Sequence, residues 1–529
     1  MKLIILLFSV LYIYKFIAWH IIKKPVTKKI FYNILIYFCL ICAFFYILKH
    51  EYPTSYDSFV TNPILKKIQK ITMPTINKIF CIYILALFLF TIDIILWYKS
   101  SKKEAKHGPK FVLTKHPSGI QVGYFNRNVI PKHIRHFVPK ISGDVVIPYN
   151  RLSRGITILG DMGCGKSRLM AIIHHAVKEE YPDIPIMIHD PKGEWLRTYY
   201  NPETDIIFAP FDKRSVAWRL WDDFVRYPEL RHPVISTAVE SHHSGSVTDR
   251  FWSDSAILLL KDIAQTDTIF DGKEELLKLK EQNSQDRTWM SIYTTAMIGF
   301  RDIATVELMN TENPGFSIDE FLTHPGRIFL LNNPSISNEQ HGALTLLLSA
   351  FMIRILAGPD VQENELTAAV FLDEALTFHL PVDVERAIYT QSRSKGLCLV
   401  VAAQRLPKEN QGERGGWADH PAYLFGMRVT DLTTRQTLTK LLGHIKYDEK
   451  QESISSGEKT FSKTESTIQR YHEVMAPEDW KLKNRQFILF HENGITPGDV
   501  KDIIDEQRNE IQVIDYNPRK DVTDFMSNL

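Results

Sequence analysis

Between positions 160 and 167 the chain reads Gly160-Asp161-Met162-Gly163-Cys164-Gly165-Lys166-Ser167, a G-x-x-x-x-G-K-[ST] pattern without mismatch. Glycines at this spacing let successive backbone N–H groups turn inward around phosphate oxygens, and a helix starting behind them adds a favourable dipole. Lys166 would reach the β- and γ-phosphates and the Ser167 hydroxyl would ligate Mg²⁺, with Arg168 adjoining the loop, so ATP and Mg²⁺ are the expected ligands. Far downstream, Ala368-Ala369-Val370-Phe371-Leu372-Asp373-Glu374 is an apolar run closed by two acids. Asp373 would complete the Mg²⁺ shell and Glu374 would polarise an attacking water. The alternative for the first segment is a chance match in a glycine-rich turn, and for the second an ordinary strand followed by a solvated acidic turn. Together the two segments point to nucleotide hydrolysis.

Such a loop needs a strand before it and a helix after it. Residues 156–159 are apolar, and Leu169, Ile173, Ala176 and Val177 share one helical face. Further candidate strands lie at 184–188, 206–208, 328–331, 368–372, 397–402, 423–427 and 487–490, alternating with helical patterns. That alternation predicts an α/β fold around a mostly parallel sheet covered on both faces. Ligand chemistry in such sheets collects at the C-terminal strand ends. Gln404, just past the strand at 397–402, would therefore sense the γ-phosphate or orient water. Residues 228–325 break the rhythm with helical spacing and no convincing strand, predicting an inserted all-helical domain. Residues 105–150 read as a connector with short strands, punctuated by Pro and Gly, and the polar stretch 444–470 as a mobile loop.

The chain has 529 residues, a formal net charge of +2 and 23% charged residues. No global basic field points to nucleic acid, so polyanion contact needs a local patch or pore. Five cysteines fall without zinc spacing or a disulfide framework, and His174-His175 and His242-His243 are adjacent pairs rather than metal spacings. Trp218 and Trp252 read as core residues before base-stacking platforms. Residues 30–48 and 79–98 are each apolar and long enough to cross about 30 Å of hydrocarbon as a helix. Residues 3–22 are a third candidate, interrupted by Lys15, which could also lie at the interface. Lys23, Lys24, Lys28 and Lys29 precede the segment 30–48, and Lys99, Lys102, Lys103 and Lys106 follow the segment 79–98. That bias places both clusters in the cytoplasm, with a short loop at about 49–78 outside.

Several further segments carry a family resemblance. Ile141-Ser142-Gly143 and Arg154-Gly155-Ile156 lead into the loop. Asp190-Pro191-Lys192-Gly193-Glu194 forms a D-P-K-G-E turn. Phe211-Asp212-Lys213-Arg214-Ser215-Val216-Ala217-Trp218, Phe251-Trp252, and Arg393-Ser394-Lys395-Gly396 followed by Gln404 complete the set. With these, the chain resembles the coupling ATPases of bacterial type IV secretion and conjugation, over about residues 25 to 500 as judged by motif order. The resemblance implies a RecA-like P-loop ATPase domain with an inserted all-helical domain, preceded by a transmembrane helical anchor. It implies residues 1–104 as anchor, 105–227 and 326–500 as the two parts of the ATPase domain, 228–325 as insert and 501–529 as tail. It also implies a homohexamer in the bacterial inner membrane with its ATPase in the cytoplasm. Secretion-channel components, a relaxase or effector substrate, and DNA are the implied partners. Arg393 would be a finger reaching the neighbouring subunit's nucleotide, with Arg386 as its rival. The loop reads Asp161-Met162-Gly163-Cys164 where family loops often read A-T-G-S, the segment 3–22 exceeds a two-span anchor, and no long acidic tail follows the last strand. A membrane docking receptor with a structural nucleotide site, and a septal-type DNA translocase, are the competing readings.

Overall fold

The computed structural model describes residues 105–529 apart from positions 115, 363, 379 and 528 and the segments 242–246, 309–314, 324–325, 333–336, 408–420, 458–459 and 503–514. The expected anchor, 1–104, lies outside the described residues. Among the described residues no helix is long and apolar enough to cross a membrane.

The described residues begin with β1 (Ala105–His107), β2 (Gly119–Phe125), β3 (Asp144–Pro148) and β4 (Ile156–Leu159). Helix α1 (Lys166–Glu180), β5 (Ile186–Asp190), α2 (Glu194–Tyr199) and β6 (Ile206–Phe208) follow. A run of helices comes next: α3 (Leu220–Arg226), α4 (Arg231–Glu240), α5 (Val247–Ile263), α6 (Ile269–Gln282), α7 (Arg287–Glu307) and α8 (Ile318–Thr323). The alternation resumes with β7 (Arg327–Leu331), α9 (Ser337–Leu356), β8 (Ala368–Leu372), α10 (Val382–Gln391), β9 (Leu397–Ala403), β10 (Tyr423–Gly426) and α11 (Leu432–Leu442). Strands β11 (His444–Gly457), β12 (Thr460–Glu473), β13 (Gln486–His491) and β14 (Gly494–Val500), then α12 (Lys520–Met526), complete it.

The result is a mixed α/β fold on an 11-stranded sheet in the order β3-β2-β14-β13-β10-β4-β9-β8-β5-β7-β6. From β10 to β6 every neighbouring pair is parallel. Every residue of β4, β5, β8, β9 and β10 is buried, because helices cover both faces of a parallel sheet; such strands are mostly apolar, with Thr157 in β4 and His189 and Asp190 at the end of β5 as exceptions. Antiparallel β13, β14, β2 and β3 extend the other edge. The stretch read as a connector thus supplies two strands of the main sheet. Strand β14 escaped the pattern because Gly494, Pro497, Gly498 and Asp499 are turn-forming types.

The polar stretch 444–470 is not a loop. It forms the hairpin of β11 and β12, paired in register from His444↔Glu473 to Gly457↔Thr460, with β1 added antiparallel to β11. Polar composition reports that side chains face water; it does not prevent backbone N–H and C=O groups from pairing with each other. At the entry to the helices between β6 and β7, Trp218 is fully buried and its Nε1 donates to Asp223 Oδ2 of α3 at 2.7 Å. The chain's last segment straps onto the same helices. Asp515 N donates to Asp212 Oδ2 at 2.9 Å, and buried Arg519 donates to the carbonyls of Pro210 and Thr305 at 2.9 and 2.8 Å.

Candidate nucleotide-binding site

The loop Gly160–Gly165 joins β4 to α1 (numbers 160–165), and Gly165 enters the helix at φ 110°, a backbone state that side-chain-bearing residues avoid. Lys166 is buried and its Nζ donates to the carbonyls of Gly160 at 2.7 Å and Asp161 at 3.1 Å. Two distant segments brace the loop. Asp161 N donates to Arg428 O at 2.7 Å, Asp161 Oδ1 accepts from Thr430 N and Oγ1 at 3.1 Å each, and Arg428 Nη2 donates to Met162 O at 3.0 Å. Arg485 N donates to Cys164 O at 2.7 Å. Cys164 packs with its sulfur 3.8 Å from that of Met427, and burial pushes its thiol pKa up. Ser167 and Arg168 are half-buried in the first turn of α1, with Arg168 3.4 Å from Asp502. Met162 and Gly163 form the exposed crest of the loop.

The two acids stand at the end of β8. Asp373 is buried, and burial raises its carboxyl pKa while Lys166 and Lys192 pull it down. One of its oxygens accepts from Glu374 N at 3.1 Å. Glu374 has φ 57°, a left-handed state uncommon for a residue with a side chain. Beneath them, His189 donates from Nδ1 to Asp373 O at 2.5 Å. Burial lowers that ring to about pH 4, so it is neutral at physiological pH.

Sheet register brings these ends together. Leu159 of β4 lies beside Ala403 of β9, Leu372 of β8 beside Val401 of β9, and His189 of β5 beside Leu372. Gly160, Asp373 and Gln404 therefore leave adjacent strands at the same edge. A cavity of about 480 Å³ opens there, lined by Asp161, Glu374, Gln404, Arg405, Thr430 and Asp431 among others. Arg393 is not in it. It precedes β9, exposed, on the opposite edge of the sheet, roughly 20 Å from Gln404 at about 3.3 Å per strand residue. Arg386 is exposed on α10, 3.9 Å from Asp383. Trp252 is half-buried in α5 beside the exposed ring of Phe251. The sequence reading missed Arg428, Thr430 and Arg485. The signal was available for the first two, since they follow β10 at the same edge of the parallel sheet.

Ser167, opening α1, and Asp373, buried at the end of β8, both offer oxygen donors, the kind a hard cation such as Mg²⁺ takes.

Comparison with known proteins gives a consistent picture. A family model described as the type IV secretion-system coupling protein DNA-binding domain matches residues 139–281 and 275–495. The coupling protein TraD of Escherichia coli (strain K12) is 24% identical over 291 residues, covering 50% of this chain and 39% of TraD. The chain thus spans about two-fifths of the length of that curated relative. The bacterial conjugative coupling protein TrwBdeltaN70 superposes with a TM-score of 0.59 at 17% identity, covering 78% of this chain and 96% of that one. The plasmid coupling protein TrwB in complex with ADP and Mg²⁺ superposes with a TM-score of 0.59 at 15% identity, covering 78% and 98%.

Proposed function

The chain belongs to the type IV secretion-system coupling protein family, and from that premise we propose that it is an inner-membrane ATPase motor that recruits a DNA–protein or protein substrate and drives it into a type IV secretion channel. One observation carries the motor reading. Asp161 of the lysine-bearing loop after β4, Glu374 after β8 and Gln404 after β9 line one cavity at the C-terminal edge of the sheet. The TrwB complex with ADP and Mg²⁺ supports the nucleotide assignment.

In this reading the loop N–H groups cradle the phosphates, and Lys166 exchanges its two carbonyl partners for the β- and γ-phosphate oxygens. Ser167 and Asp373 would hold Mg²⁺, which would supply charge neutralisation on the phosphates. Glu374 accepts a proton from water as the water oxygen bonds to the γ-phosphorus. The bond from that phosphorus to the ADP oxygen breaks, and ADP and phosphate leave. Gln404 orients the water from the adjacent strand. Arg393, on the opposite edge of the sheet from this cavity, acts on the nucleotide of a neighbouring subunit in a hexamer. The architecture we propose is an anchor at 1–104, a RecA-like domain from 105–227 and 326–500, a helical insert at 228–325 and a tail at 501–529.

The test is ATP hydrolysis by the full chain in detergent, with and without single-stranded DNA, and with Lys166→Ala as control. Hydrolysis that DNA accelerates is the expected result. Nucleotide binding with no turnover above the Lys166→Ala background overturns the motor in favour of a docking receptor.

A further inference from the structure

The turn at 190–194 takes no part in the reaction derived above, yet it is rigidly built. Asp190 is buried at the end of β5, and its two carboxylate oxygens accept from Glu194 N at 3.0 Å and Leu196 N at 2.8 Å, capping α2. Gly193 reverses the chain at φ 67°, a state that suits glycine. Strand β5 neighbours β8, with His189 beside Leu372. The apex of the turn therefore stands next to the acids. Its Lys192 Nζ lies 3.7 Å from Glu374 Oε1.

Glu374 is held at its backbone: Thr377 donates to the Glu374 carbonyl from N at 3.1 Å and from Oγ1 at 2.9 Å. Its side chain, lining the cavity, still has three rotatable bonds. We propose that Lys192 is a positioning residue for Glu374, its ammonium holding the carboxylate in the rotamer that faces the attacking water. The inference rests on Glu374 being the base. Magnitudes favour it over a role in folding. The two side chains are 43% and 30% exposed, and an ion pair that open to solvent adds little to stability. A base displaced by about 1 Å, in contrast, loses up to roughly 100-fold in rate. A lysine at this place therefore matters more to turnover than to the fold.

The experiment uses the full chain and four variants: Lys192→Met, Lys192→Arg, Glu374→Gln and the Lys192→Met/Glu374→Gln double variant. Hydrolysis gives kcat and KM, and equilibrium binding of a fluorescent ATP analogue with Mg²⁺ gives affinity without turnover. Expected for Lys192→Met is a kcat lower by about 10- to 100-fold, with KM and affinity within about twofold of wild type. Lys192→Arg recovers most of the rate. In the Glu374→Gln background, Lys192→Met costs nothing further. Wild-type kcat in Lys192→Met overturns the proposal, and so does a further loss in the double variant. A large loss of affinity also overturns it, since Lys192 would then be a phosphate ligand. Glu374→Gln turning over at the wild-type rate sinks the parent assignment of the base. Slow Glu374→Gln with fast Lys192→Met sinks this inference alone.

Discussion

At the scale of single residues, the proposed reaction divides the site between groups that would meet phosphate and groups that would meet water. Lys166→Ala is expected to abolish hydrolysis, because a buried ammonium that already spans two loop carbonyls has no substitute as a phosphate partner. Asp373→Ala is expected to remove Mg²⁺ dependence together with activity. Glu374→Gln is expected to retain nucleotide and slow turnover by about 10²–10⁴-fold. Steady-state hydrolysis beside equilibrium binding of a fluorescent nucleotide checks all three, and wild-type turnover in any one rejects that residue's role. The positions of Gly160 to Ser167, Asp373, Glu374 and Gln404 at strand ends were legible because each sits in a local pattern: an apolar run, then a break, then the polar group. Arg485 was not legible. Its link to Cys164 joins residues hundreds of positions apart, and only the register of the sheet creates it.

At the scale of elements, helices answer to packing and their ends answer to charge. Glu307 closes α7 and its carboxylate accepts from Trp221 N at 2.9 Å, capping the start of α3. Burial, then the neighbouring Asp222 and Asp223, raise its pKa to about 7. The folded state thus holds a proton that the unfolded chain has released above the ordinary glutamate range. Stability from this group is complete below about pH 4.5 and is lost as pH rises through 7, roughly 3 kcal/mol in all. Glu307→Gln keeps an acceptor oxygen and removes the titration. Its melting temperature should fall less between pH 5 and pH 8 than that of wild type, and parallel curves would refute the assignment. The buried parallel strands were legible as continuous apolar runs. The β11–β12 hairpin and β14 were not, because a solvated ribbon and a Gly- and Pro-containing edge strand carry no apolar signature, only backbone pairing.

At the scale of the whole molecule, the proposed role of Arg393, which lies away from the cavity, would make activity a property of neighbours. Arg393→Ala subunits should bind nucleotide normally yet lose turnover, a finger arginine being worth about 10³–10⁵ in rate. Mixing them with Lys166→Ala subunits should restore measurable hydrolysis, since some interfaces then pair an intact loop with an intact arginine. No restoration in verified mixed rings shifts the role to Arg386 or removes it. The lysine bias around 1–104 makes a separate prediction: a reporter fused after Lys106 reads cytoplasm and one inserted near Tyr56 reads outside, and the reverse pattern refutes the topology. The described chain starts with β1, which is hydrogen-bonded into the hairpin at Ala105 and His107. A few residues on, the backbone is stitched to Ile495, with Ile495 N donating to Lys110 O at 2.9 Å and Val112 N to Ile495 O at 3.0 Å. The first described residues are thus bonded to two strands from different sheets, β11 and β14, so this stretch of chain cannot lift from either without giving up backbone hydrogen bonds.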